Sequence, residues 1–191
     1  RPFLEANLQA VRFARQALAA SFDPRKAVVQ LAWECVVLTR AAVDEHLLDP
    51  TPYWQEGLAA TARARRLMPE NSGAISIEKS LQLGRSAYLT ARGEDGLPDA
   101  QAALANLATL RELGGNPVNV ADGMAEARMA LGRARLARGE EATADFAEAL
   151  RAAGEVIRLT AGQNANGLIR GLYIGHEVAN HALLDGSLSE A

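Results

Sequence analysis

The residues that could do chemistry stand closest together in GHEVANH, 175–181. A zinc hydrolase needs two histidines four apart, so that one helical face grips one ion and a glutamate activates its bound water. Here His176 and His181 are five apart, which separates them by about 140° around a helix. They cannot share one tetrahedral ion, and Glu177 is left with no metal-bound water to activate. DEHLLD, 44–49, holds carboxylates spread around a helix end without the spacing of a calcium loop, and reads as a C-terminal cap region. Glu140 and Glu141 fall at the expected start of a helix, where acids suit the positive end of the dipole. No Ser-His-Asp or Cys-His set can be assembled. The expectation is a chain that is not itself an enzyme, with no catalytic residue, metal site or cofactor.

The elements that would position any site are helices. Hydrophobic residues make up 49% of the 191, yet aromatics only 5%, so the core must be built from closely packed Ala and Leu. Runs of alternating Val, Ile, Thr and Tyr are absent, which predicts no sheet. The net charge of −3 gives no bulk attraction for nucleic acid. No run of 18 apolar residues predicts a membrane span. The single cysteine, Cys35, reads as a small buried hydrophobe of a reduced, cytoplasmic compartment. Trp33 and Trp54 offer a binding aromatic pair but read first as core residues, and RARR, 63–66, offers phosphate contacts but reads first as the solvated end of a helix.

Two kinds of helix alternate. One kind, B, covers 2–24, 52–71, 98–117 and 144–164; the other, A, covers 25–50, 73–95, 120–140 and 166–186. Proline opens three B segments and closes three, at Pro24, Pro69 and Pro117. Counting back from these, the seventh residue is Ala17, Ala62 or Leu110 and the tenth Ala14, Ala59 or Leu107, which predicts one buried stripe. The A segments carry Leu83-Gly84, Leu131-Gly132 and Ile174-Gly175, with Thr39 in the corresponding place. Glycine inside a helix costs about 0.5–1 kcal/mol against alanine. Three at matching positions predict close approach by a neighbouring helix. The spacings of 45, 48 and 43 residues indicate a repeated A–B unit.

This pattern resembles tetratricopeptide repeats: Leu-Gly in helix A, Gly139 at the turn, and Ala64 with Pro69 near the end of helix B. It departs from them in unit length, in longer A-to-B loops such as GEDGLPD, and in the replacement of most family Trp and Tyr positions. Those loops look like repeat regions of large bacterial serine/threonine kinases, though the chain has no kinase motif. The resemblance implies an all-α, right-handed α-α superhelix, or solenoid, of antiparallel helix pairs, about eight helices. It would be a single TPR-like repeat domain over 1–191, in the phase B, then A-B three times, then A. That phase suggests a fragment of a longer chain, or ends covered by another subunit, with oligomers formed through uncapped ends.

In such repeats the A helices line a concave groove. Immediately after the small residue come Arg40, Arg85, Arg133 and His176, with Tyr88, Tyr173 and Asn180 expected on the same face. One reading is a ladder of donors for an acidic or phosphorylated peptide. The other pairs these cations internally with Asp44, Glu78 or Glu126. The function expected is a scaffold binding a protein or peptide partner, intramolecular docking included. The alternative is a regulatory or sensor domain attached to a signalling enzyme such as a serine/threonine kinase. Neither nucleic acid nor membrane is expected as a partner.

Overall fold

The computed structural model describes residues 2–20, 23–45, 49–163 and 165–184, and the side chains of all of these but residues 2, 3, 44, 45, 165–168, 178 and 180–184. Eight helices run through them: α1 (Pro2–Ala20), α2 (Pro24–Glu45), α3 (Thr51–Leu67), α4 (Ser72–Ala91), α5 (Leu97–Glu112), α6 (Pro117–Ala137), α7 (Thr143–Leu159) and α8 (Ala165–Leu184). The described residues contain no strand. The all-α reading holds, and the alternating segments correspond to successive helices. Among the described residues no helix is long and apolar enough to cross a membrane.

The helix starts repeat at a fixed interval. Asp49, Asp95 and Glu141 lie 46 residues apart. Each side chain accepts the backbone N–H two residues on, from Thr51 at 3.0 Å, Leu97 at 3.1 Å and Thr143 at 2.6 Å. These are first residues of α3, α5 and α7, whose leading N–H groups have no partner inside the helix. The stops repeat too. Gly93 and Gly139 end α4 and α6 at φ of 72° and 71°, left-handed conformations that suit glycine. Proline plays a different part from the one expected at two boundaries. Pro117 opens α6, behind Asn116, which accepts from Val118 N at 2.9 Å, and Pro24 opens α2. Proline has no N–H to lose in a first turn.

Every helix packs on the next, and α2, α4 and α6 also touch in succession. Buried positions follow the same 46-residue interval. Trp54, Ala100 and Phe146 are equivalent, as are Thr61, Leu107 and Ala153, and Ala64, Leu110 and Val156. The proline-anchored stripe is therefore corrected: Ala14, Leu107 and Leu110 are buried, but Ala17, Ala59 and Ala62 are exposed. Pro69 and Pro117 are 48 apart and occupy different structural places, and two residues turn a helix by about 200°. The core is a row of three clusters along the stack: Leu4 to Leu81 across α1–α4, then Leu107 with Val120, then Ala149 with Ile174. Neighbouring units thus bury one another's faces.

Trp54 and Cys35 are buried as expected, at 2% and 0% exposure, but Trp33 is 49% exposed. It stands off the Val28, Leu31, Ala32 and Cys35 side of α2 that faces the core. Burial, reinforced by Glu56, pushes the Cys35 thiol up to about 12, so it stays protonated and unreactive.

Close helix approach occurs, but only partly at the glycines expected. A β-carbon on Gly132 would lie 2.9 Å from the Phe146 ring; on Gly57 it would lie 2.9 Å from Cys35 Cβ. Among the described residues, on Gly175 it would meet nothing within 4 Å, and on Gly84 only Trp54 Nε1 at 3.7 Å. Gly57→Ala should therefore cost about 1–3 kcal/mol through overpacking. Gly84→Ala should instead stabilise by about 0.5–1 kcal/mol through helix propensity. Urea denaturation of the two variants checks the opposite signs.

Candidate binding groove

A cavity of about 520 Å³ opens where α2, α4 and α6 lie side by side. Its walls come from equivalent positions, 44 and then 46 residues apart. Val36, Ser80 and Glu126 form one level; Thr39, Leu83 and Met129 the next. Arg40, Gly84 and Ala130 form a third, and Val43, Ala87 and Arg133 a fourth. Trp54 of α3 and Thr90 and Ala91 of α4 complete the wall. A helix presents residues i, i+3, i+4 and i+7 on one side, so three helices in parallel register give a mostly apolar trough with charges at its edges.

The expected groove residues reach different places. Arg40 and Arg133 line the cavity. Arg85 sits level with buried Leu131 rather than with Arg133, because the interval is 46 and not 48. Its Nε meets Asp99 of α5 at 3.1 Å. Tyr88 packs edge-on against Trp54, with ring centroids 5.0 Å apart, and Arg92 lies over its ring. Tyr173 of α8 accepts from Arg133 Nη2 at 2.7 Å, while Arg133 Nε reaches Glu177 at 3.2 Å. His176 is exposed on α8. The side chain of Asn180 lies outside the described residues, as do those of Asp44 and His181.

The charges across this face form a seam. Arg170 of α8 holds Asp122 at 2.9 Å and Glu126 at 2.7 Å, and Lys79 of α4 meets Glu126 from the other side at 3.8 Å. Burial pushes Lys79 below its usual range; Asp122 opposes this, and the nearby cations Arg170 and Arg40 add to it. Burial works against the charge of Arg133, yet Glu177 and Tyr173 raise its pKa overall. Arg40 has no carboxylate partner among the described side chains.

One wall residue carries a buried polar atom without a partner, Trp54 Nε1; Thr90 Oγ1, also without one, lies against Gly96 at the α4–α5 turn. Gly84 lines the cavity beside the indole, and a β-carbon on it would lie 3.7 Å from Trp54 Nε1. Neither Trp54 nor the wall residues Glu126 and Met129 stood out as groove residues in the sequence. The signal that places them is the pair ARGED at 91–95 and ARGEE at 137–141, which carries the 46-residue register into the A helices. Among the described residues no group of three His, Cys, Asp or Glu is placed to hold a metal. No known protein family, curated protein or solved structure matches the chain.

Proposed function

We propose that this chain is a tetratricopeptide-like interaction module, a right-handed superhelix of antiparallel helix pairs that binds a protein or peptide partner in the trough on its A helices. The observation that supports this reading is the cavity itself, built from the same four positions of three successive A helices. A repeat that aligns equivalent residues makes a continuous surface, which is how stacked helix pairs recognise partners. The partner is acidic or phosphorylated. An apolar side chain of the partner fills the trough, and its negative charge meets Arg40, the wall cation with no carboxylate partner among the described side chains.

A pull-down with the wild-type chain, Arg40→Glu and Arg85→Glu, with captured proteins identified by mass spectrometry, tests this. Arg40→Glu should lose the partner. Arg85→Glu should keep it and lose thermal stability, because it places a second carboxylate against Asp99. Equal capture by wild type and Arg40→Glu would sink the reading. A second reading, a regulatory or sensor domain attached to a signalling enzyme such as a serine/threonine kinase, is favoured by the unpaired Nε1 of the wall residue Trp54. Buried polar groups normally have partners, and the aliphatic side chain of a partner supplies none.

A further inference from the structure

We infer that the cavity between α2, α4 and α6 takes a small amphipathic acid, a hydrocarbon body carrying one carboxylate. The inference rests on the sensor reading and names its ligand class. The cavity of about 520 Å³ falls within the range of roughly 300–1,000 Å³ usual for small-molecule sites. Its wall is mostly apolar, with Leu83 and Met129 its largest aliphatic groups. A polypeptide brings one N–H and one C=O per residue, each needing a partner when taken out of water. This wall offers few. Glu126 is held by Arg170, and Arg133 by Glu177 and Tyr173. A hydrocarbon chain needs no such partners.

Two independent features ask for an anion at one end. Trp54 is 2% exposed and its N–H is unpaired, beside Gly84. Arg40 stands at the level of Gly84. Across the A-helix face the described side chains set four cations, Arg40, Lys79, Arg133 and Arg170, against three carboxylates, Asp122, Glu126 and Glu177. Among the described side chains one positive charge is left over, matching one carboxylate. Gly84 then has a reason other than helix packing: a side chain there would stand between the ligand and the indole.

Trp54 reports on its own site. In Trp33→Phe it is the only tryptophan, and its emission can be followed while octanoate or octan-1-ol is added below micelle-forming concentration. Octanoate should change the emission saturably and octan-1-ol should bind at least about tenfold more weakly, as expected for loss of a charge-assisted contact. Arg40→Gln should bring octanoate down to the level of the alcohol. Gly84→Leu, or Ala130→Leu should the first not fold, should abolish both. Equal binding of acid and alcohol, or octanoate binding indifferent to Arg40→Gln, overturns the acid while leaving a small-ligand cavity. Failure of both probes to bind overturns the small-ligand reading as well, and leaves the trough to a protein partner.

Discussion

Phe146→Ala should destabilise the chain by about 3–5 kcal/mol. The ring is 1% exposed, a large side chain taken fully out of water. It sits against Gly132 of α6, where a β-carbon would come within 2.9–3.2 Å of three ring atoms. Glycine is thus the hole into which the ring fits. The equivalent positions carry Trp54 and Ala100, so α5 packs on α4 without a ring here, whereas α7 depends on one. Truncation removes the apolar contacts and leaves a void that helix backbones cannot close. Urea denaturation gives the size of the loss. Gly132→Leu should destabilise the wild type and lose much of that penalty in the Phe146→Ala background, since the new side chain enters the vacated space. Additive effects in that double-mutant cycle would contradict the pairing.

Asp145→Ala should cost about 2–3 kcal/mol. The carboxylate is 1% exposed, at the first turn of α7, and each oxygen has its own arginine: Arg128 at 3.0 Å on one, Arg135 at 2.7 Å on the other. Removing one partner of a buried ion pair costs about 3–5 kcal/mol because the other charge is left buried. The side chains of Arg128 and Arg135 are 32% and 36% exposed, so water recovers part of that and the lower figure applies. The helix start adds to the loss, since a negative charge there is favourable. The loss should persist in 1 M salt, because buried pairs are poorly screened. Arg151→Ala, which breaks an exposed pair with Glu148, should change stability by less than about 1 kcal/mol. A loss at Asp145 that vanished in salt would show that the carboxylate is not buried.

The legible part of the molecule was local. Alanine and leucine with few aromatics pointed to helices alone, and prolines, glycines and short acidic stretches marked where they begin and end. The groove face expected on the A helices carries the cavity, and Arg40 and Arg133 line it. What was misjudged traces to the register. Matching Gly84 with Gly132 implies 48 residues, whereas Asp49, Asp95 and Glu141 recur at 46. The two-residue difference puts Arg85 in the expected ladder, although it turns to Asp99. It also made Gly84 a packing glycine, although it borders a cavity. Trp33 failed for a related reason: an aromatic side chain inside a helix says nothing about which side of the helix is covered.

The amino-acid sequence by itself determined the helices, their ends and the existence of a repeat, because capping, proline and propensity act within a few residues of chain. Only the tertiary structure decided which side of each helix faces a neighbour. Each residue turns the helix by about 100°, so the facing side depends on loop lengths and on contacts made some 46 residues away. The cavity, its unpaired indole N–H and the wall arginine with no carboxylate among the described side chains are products of that second, long-range choice.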